Sequence, residues 1–576
     1  MTNIVLASAK YLIILLFALF TYASFMVQRD VPEEKKKGTV NLQRVLVFAV
    51  HALAFFSIFI NVSIGNAAGM TRKEVLVIYV CQLLFLVFIM CILPHIVHLS
   101  VGLNNVMCML LTVGFIIQTR LSYDTGFKHL IYTAVSAVVY IVAALLCKKV
   151  KLLYRMTWVY CIVSLALLLA VFVFAKVSLG AKTSIDLGFV SIQPFEFVKI
   201  IFVMFIAAAF NKANDFKTVA ITAMFGAAHV IILVMCSELG TALILAVVYV
   251  LMLYVATKKA IYLLICLVVF VGACIAAYTL FSHVQVRVDV WLDPWADIDN
   301  KGYQITQSLF AIGTGGWLGS GLYNGSPSYI PMVYNDFVFS AISEELGAIF
   351  AIFLILLCLC FVLMSFRIAI RVSKPFYKLL AFGLGAVYGM EVFLTIGGAI
   401  KFVPSTGINL PFISSGGSSV LASMILVAMI QALYVISEED VEMERELIEA
   451  RIVYGDEGLV PDIPSADTEK RQRSGKKGLS NSKNAGEKGR GETNTRLRRD
   501  PSETYETNIR MREDWDEQYE TDIRLDYDQG EEYETDIRLD DGWDKEYVNP
   551  ESNRRRVRQV RQEKVKYVDN DDIDMQ

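Results

Sequence analysis

Apolar runs, each close to 20 residues long, follow one another through the first three-quarters of the 576-residue chain. A helix of about 20 apolar residues spans the hydrocarbon core of a bilayer. Backbone groups in lipid must be hydrogen-bonded within the protein, so helices are the natural spanning elements. The pattern predicts an all-α, polytopic membrane protein with about thirteen transmembrane helices. They are expected near residues 4–27, 44–65, 74–97, 103–119, 129–147, 157–179, 195–211, 218–236, 241–257, 260–281, 338–365, 379–399 and 418–437.

Composition agrees with this pattern, because 55% of the residues are hydrophobic and only 19% are charged. Most of the charge follows Ser437. All ten cysteines, from Cys81 to Cys360, lie in or beside apolar runs, which does not favour a disulfide framework. The first run, Ile4 to Val27, is too long for the apolar region of a signal peptide and is expected to be a retained helix.

The loops between successive predicted spans lie alternately on the two sides of the membrane. Lysine and arginine are concentrated in the short loops of one side, which predicts that this side is the cytoplasm. The N-terminus is then outside and the C-terminal tail is inside. Loops 180–194, 282–336 and 400–417 fall on the outer face. The basic residues that decide this orientation are Arg29, Lys35, Lys36, Lys37, Arg44, Lys148, Lys149, Lys151, Arg155, Lys212, Lys217, Lys258, Lys259, Arg367, Arg371, Lys374 and Lys378.

The tail, residues 438–576, differs from the rest of the chain in its chemistry. It opens with "SEEDVEMERELIEARI", which is expected to extend the last helix into the cytosol. Low hydrophobicity and mixed charge predict that most of the tail is disordered. Three copies of a 14-residue repeat lie within 505–540. They are either a docking motif for a cytosolic partner or a solvated segment made by local duplication.

Asp336 ends the long outer loop, in "YNDFVFSAISEELG", at the mouth of an apolar span. A loop of this length without regular structure is usually functional. A carboxylate at this position suits general-base catalysis. The alternative is a helix cap, because Asp near a helix start accepts backbone N–H bonds.

Two other outer segments carry unusual residues. Glu196 and Lys199 are three apart in "SIQPFEFVKI", so they share one helix face, as substrate contacts or as a structural ion pair. The segment "KFVPSTGINLPFISSGGSSV", residues 401–420, predicts a re-entrant or tightly folded loop. The histidines form no metal-ligand set.

These motifs together resemble the SEDS family (shape, elongation, division and sporulation), whose members include FtsW, RodA and SpoVE. The resemblance covers roughly residues 104–437, through "GAKTSIDLGFVSIQPFEFVKI", "SELGTALI", "DPWADIDNKGYQITQSLFAIGTGGWLGSGL", "YNDFVFSAISEELG" and "PSTGINLPFISSGGSS". It implies a ten-helix core at 104–437, preceded by three extra helices at 1–103. It also implies a multi-pass protein of the bacterial cytoplasmic membrane that polymerises lipid II into glycan strands on the outer face.

The resemblance implies roles for particular residues. Asp336 matches the family's essential aspartate, and Glu196 and Lys199 match the charged pair of its "QPSE…K" motif. Phe195 and Glu238 depart from the pattern, which has Ser and Asp there. Asp336 is expected to take the hydroxyl proton, while cations stabilise the leaving pyrophosphate. The residues expected to bind substrate are Glu196, Lys199, Arg287, Gln304, Lys401, Ser414 and Ser418.

The family also implies partners. We expect a class B penicillin-binding protein, with divisome or elongasome proteins, and no nucleic acid. A divalent cation, Mg²⁺ or Mn²⁺, is compatible with the chemistry, although the sequence has no recognisable ligand cluster. A lipid II flippase and a non-catalytic scaffold for cell-wall synthases are the two rival functions. The sequence leaves open whether division, elongation or sporulation is served.

Overall fold

The computed structural model describes residues 2–29, 32–65, 69–149, 153–175, 184–186 and 191–454. These residues form a helical bundle, which confirms the predicted fold class. The helices are α1 (Thr2–Val27), α2 (Glu33–Ser63), α3 (Arg72–Val87), α4 (Leu93–Ile96), α5 (Val101–Leu121), α6 (Tyr123–Lys149), α7 (Thr157–Phe174), α8 (Phe195–Phe210), α9 (Phe216–Met235), α10 (Leu239–Thr257), α11 (Ala260–Leu280), α12 (Ser282–Leu292), α13 (Tyr303–Gly315), α14 (Val338–Arg371), α15 (Pro375–Ala399) and α16 (Gly417–Tyr454).

Twelve helices among the described residues are long and apolar enough to cross a membrane. A π-helical turn at Phe88–Ile92 joins α3 to α4, so these two make one crossing. The thirteenth predicted span, 195–211, is α8. At 16 residues it is about 24 Å long, shorter than a bilayer core. Twelve of its residues are buried, so α8 lies among other helices and not in lipid.

The short β1 (Ile185–Asp186) and β2 (Ser191–Ile192) form an antiparallel ribbon just before α8. α5 lies at the centre of the bundle, because every residue from Gly102 to Thr119 is buried. α11 is the opposite case, since none of its residues is buried. Most of its apolar surface therefore faces lipid or another membrane protein, while Tyr262 and Cys266 pack against the core.

The three N-terminal helices pack directly on the rest of the bundle. α1 lies against α14, where Phe17 and Phe350 stack with ring centroids 4.1 Å apart. α2 lies against α5, where the Asn105 amide donates to the Gln43 side chain at 3.1 Å. The extra helices thus share one compact unit with the remaining described helices.

Two long helices depart from simple membrane crossings. α14 is interrupted at Gly347, whose φ of 86° and ψ of 169° break the helix into two pieces. α16 continues past the apolar run to Tyr454, which confirms that "SEEDVEMERELIEARI" extends the last helix. The predicted disorder of the tail and the repeats at 505–540 lie outside the described residues.

Candidate active site

Several elements that carry predicted site residues come together around segment 405–408. Gly240, in the first turn of α10, packs so closely on Thr406 and Ile408 that a side chain there would collide with both. Gly407 has φ +74°, and a Cβ built on it would lie 3.6 Å from Oδ2 of Asp336. The Arg287 guanidinium of α12 donates to the Ser405 carbonyl at 2.7 Å. Segment 405–408 therefore joins the start of α10, the start of α14 and α12.

The backbone before Asp336 is held by three hydrogen bonds. The Ser414 hydroxyl donates to the Asn335 carbonyl at 2.6 Å. The Tyr334 carbonyl accepts from the Ser415 amide at 2.8 Å and from the Gln118 side chain at 2.9 Å. Ser414 also accepts from the Leu410 amide, so its hydroxyl bonds to the backbone both as donor and as acceptor. These contacts fix where the carboxylate of Asp336 stands.

Asp336 does not act as a helix cap. The residue at the N-cap position of α14 is Phe337, and no side-chain hydrogen bond caps this helix. Burial raises the pKa of Asp336 from its usual value to about 6, and the charge of Arg287 opposes that rise. A carboxylate with such a pKa is ionised at neutral pH and is a stronger base than an exposed one. The geometry therefore favours the catalytic interpretation.

Glu238, which precedes α10, is the second half-buried carboxyl group in this region. Burial above all, and then the charge of Glu196, raise its pKa to about 8. Arg287 and Lys199 act in the opposite direction. Glu238 is therefore protonated at neutral pH and is able to donate a hydrogen bond. The structure thus contains two nearby carboxyl groups in different protonation states, an arrangement typical of acid–base sites.

Lys199 is paired twice. Its ammonium donates to Glu196 at 2.7 Å and to Glu391 of α15, and the Lys199 side chain is only 2% exposed. The sequence reasoning identified Glu196 and Lys199 but missed Glu391. The signal was present, because Glu391 is an ionisable residue in the apolar span "GMEVFLTIGG", and such residues are rare without a role.

The remaining predicted substrate contacts lie at different positions. Ser418 accepts a hydrogen bond from the Gln193 amide at 3.0 Å and so ties α16 to the start of α8. Lys401, with φ +61°, donates to the Leu292 carbonyl at 3.3 Å. Gln304 is exposed in the first turn of α13. The structure brings Asp336, Arg287 and Glu238 within electrostatic reach of one another.

Among the described residues, no group of three or more His, Cys, Asp or Glu side chains is placed to hold a metal ion. Mg²⁺ commonly binds through one or two carboxylates together with substrate phosphates. The expected divalent cation therefore has no complete protein site here, and it stays a prediction.

The fold and this half-buried charged cluster define a multi-pass membrane protein with a site at one end of its helix bundle. The chain belongs to the FtsW/RodA/SpoVE family, described as cell cycle proteins, whose family model matches residues 96–439.

Two relatives illustrate the match. The peptidoglycan glycosyltransferase RodA of Mycobacterium bovis is 38% identical over 267 residues, which are 44% of this chain and 57% of that protein. The match therefore spans little more than half the length of this relative. The probable peptidoglycan glycosyltransferase FtsW of Geobacter sp. (strain M18) is 34% identical over 278 residues, which are 46% of this chain and 74% of that protein.

A similar fold occurs in a solved structure of a peptidoglycan synthase complex that coordinates polymerization and crosslinking. The similar chain in that complex has a TM-score of 0.52 and 23% sequence identity. The match covers 59% of this chain and 98% of that one. At this level of identity, the likeness supports the fold.

Proposed function

We propose that this protein polymerises lipid II into peptidoglycan glycan strands at the outer face of the bacterial cytoplasmic membrane. The observation that carries the proposal is Asp336, a half-buried carboxylate at the start of α14 with a pKa of about 6, within the electrostatic reach of the cationic Arg287. The relatives named above as peptidoglycan glycosyltransferases support the same reaction class.

The proposed chemistry uses Asp336 as the general base. A sugar hydroxyl attacks the anomeric carbon of a lipid-linked donor, and a new glycosidic C–O bond forms. The bond between that carbon and the pyrophosphate oxygen breaks, and the pyrophosphate leaves with the bonding electrons. Asp336 takes the proton from the attacking hydroxyl. No step is assigned to a metal ion.

Arg287 is the cation best placed to stabilise the leaving pyrophosphate. One of its nitrogens donates to Ser405, and its charge acts on both Asp336 and Glu238. A guanidinium has further donors and forms bidentate bonds with phosphate oxygens. Lys199 is less suited, because both Glu196 and Glu391 already occupy its ammonium group. Arg287 is therefore preferred to Lys199 as the pyrophosphate contact.

The proposal includes a topology and a partner. The basic loops support a cytoplasmic position for the C-terminal tail and an outer position for residues 282–336. A class B penicillin-binding protein is the proposed crosslinking partner, which the similarity to a chain of a peptidoglycan synthase complex supports. Membership in a divisome or an elongasome follows from the same proposal.

The decisive experiment measures lipid II polymerisation by the purified full-length protein and by its Asp336→Asn variant. We expect the parent to polymerise and the variant to be about 100- to 10,000-fold slower, because an amide cannot accept the proton. Asp299→Asn is the matched control. Asp299 is exposed in the same outer loop, so we expect a rate near that of the parent.

Thermal stability must be measured on the same samples. A stable Asp336→Asn variant that polymerises within a few-fold of the parent would end the general-base assignment. A parent protein that moves lipid II across vesicle membranes but does not polymerise it would favour a flippase.

A further inference from the structure

The break in α14 is filled by a second piece of chain, Gly316–Gly321, which we term the plug segment. The Gly316 carbonyl accepts from the Ala348 amide at 2.9 Å, and the Trp317 carbonyl accepts from the Ile349 amide at 3.1 Å. In the other direction, the Ser320 amide donates to the Glu344 carbonyl at 2.9 Å. The plug segment thus satisfies backbone groups that the break leaves without helical partners.

The fit of the plug segment into the break is close. Gly319 has φ +73° and Gly347 has φ +86°, a region that side chains rarely adopt. A Cβ on Gly347 would collide with the backbone of the plug segment, and a Cβ on Gly319 would collide with the backbone of Glu345. Movement of one backbone therefore requires movement of the other.

Two hydrogen-bond donors from the N-terminal helices contact the plug segment and the residue that follows it. The Lys10 ammonium of α1 donates to the Gly319 carbonyl at 2.8 Å. The Asn61 amide of α2 lies 3.4 Å from the Leu322 carbonyl, one residue past the plug segment. Both donors lie before residue 96, outside the part of the chain that matches the family model. The family core therefore does not supply these contacts.

The plug segment lies one short helix away from Asp336. The first piece of α14, Val338–Leu346, starts two residues after Asp336 and ends at the break. Nine residues of α-helix are about 13 Å long and move as a rigid unit. A displacement at the break would therefore pass to the start of α14, where the Asp336 carboxylate stands.

We infer that Lys10 and Asn61 are positioning residues for Asp336, acting through the plug segment and the first piece of α14. In this role the extra N-terminal helices are part of the catalytic apparatus. The inference rests on the proposed function for its effect on rate, but its structural step is independent of lipid II.

The test combines hydrogen–deuterium exchange with polymerisation kinetics on the full-length protein. Lys10→Met removes the donor, whereas Lys10→Arg keeps one. Loss of this hydrogen bond should raise local opening about 2- to 10-fold. We expect faster exchange in peptides covering 316–326 and 338–346, with a similar fold decrease in kcat and little change in KM. Lys10→Arg should restore both quantities, and adding Asn61→Leu to Lys10→Met should enlarge both effects.

Gln28→Leu is the matched control. Gln28 also ties the α1 region to α14, through the Cys360 sulfur at 2.9 Å, but near the other end of α1. This variant should leave exchange in 316–326 and kcat unchanged.

Equal exchange in Lys10→Met and Gln28→Leu would overturn the inference, as would faster exchange with an unchanged kcat. If the parent fails to polymerise lipid II, the proposed function fails on its own. Exchange in 338–346 then still decides whether Lys10 holds the helix that follows Asp336.

Discussion

At the scale of the residue, the site depends on a balance between burial and one neighbouring cation. Burial raises the pKa of Asp336 to about 6, while Arg287 limits the rise. If the carboxyl group were desolvated with no cation nearby, it would be protonated at neutral pH and could not act as a base. Glu238 is the contrasting case, because burial and the charge of Glu196 outweigh Arg287 and Lys199 there and raise its pKa to about 8. The same kind of side chain is thus given two different states by its surroundings.

This balance predicts a change in pH dependence for Arg287→Gln. Loss of the cation should raise the pKa of Asp336 above 6, because nothing then offsets burial as strongly. The base must be ionised to work, so the acid limb of the kcat/KM profile should move to higher pH. The loss of rate should be larger at pH 6 than at pH 8. Polymerisation measured across this range checks the shift.

Arg287→Lys is the control for that experiment, since it keeps the positive charge but loses the planar guanidinium group. Its acid limb should stay near that of the parent even if its rate falls. An Arg287→Gln profile that is lower at every pH but unshifted would contradict the electrostatic role and leave only a binding role.

At the scale of the element, polar side chains decide how helices meet inside an apolar bundle. Lys199 joins α8 to α15 through Glu391, and Gln118 of α5 holds the backbone before Asp336. Arg120, two residues after Gln118 in α5, pairs with the buried Glu345 of α14 at 2.5 Å. Such buried pairs are costly to break because the remaining charge has no partner.

The Lys199 cluster gives a prediction at this scale. Lys199→Met alone leaves two buried carboxylates unpaired and should cost about 3–5 kcal/mol of stability. The triple variant Lys199→Met, Glu196→Gln and Glu391→Gln leaves no unpaired charge. We expect it to recover most of the melting temperature that the single variant loses. Thermal unfolding of the purified proteins measures this recovery.

A double variant that spares Glu391 is the control, because it still leaves one carboxylate unpaired and should recover less. Polymerisation by the stable triple variant then separates the two roles of the cluster. A rate near that of the parent would contradict substrate binding by Glu196 and Lys199. No recovery of stability would contradict the structural ion cluster.

At the scale of the whole molecule, orientation determines whether the site meets its substrate. Lys10 near the start of α1 bonds to Gly319, so the N-terminal end of α1 and the long loop lie at the same end of the bundle. Arg371, the last residue of α14, pairs with Glu438 of α16, so this part of α16 lies at the opposite end of the bundle. The basic loops predict that the end with Lys10 and the long loop is the outer one.

The topology is tested with single cysteines in a background without reactive native thiols. Ser328, before α14, and Ser373, after it, are both exposed. We expect Ser328→Cys to react with an impermeant thiol reagent in intact cells and Ser373→Cys to react only after the cells are opened. The pair provides its own control because both positions flank one helix. The reverse labelling pattern would place Asp336 on the cytoplasmic face and end the proposed function.

The sequence by itself determined the membrane architecture. Apolar runs of bilayer length and backbone hydrogen bonding leave few alternatives to crossing helices, so twelve of the thirteen predicted spans recur as long helices. Local sequence also marked Asp336, Glu196 and Lys199, because ionisable residues beside or within apolar runs are rare. The sequence also indicated where α8 lies. It did not show that α8 is buried among neighbouring helices, because that burial depends on packing.

Only the tertiary structure decided which of the marked residues work together. The second partner of Lys199, Glu391, lies 192 positions away in sequence. The contact between Lys10 and Gly319 spans 309 positions. Periodicity describes one helix at a time and contains no information about which helices become neighbours. The raised pKa of Asp336 likewise depends on burial and on Arg287, and both are set by packing between elements distant in sequence.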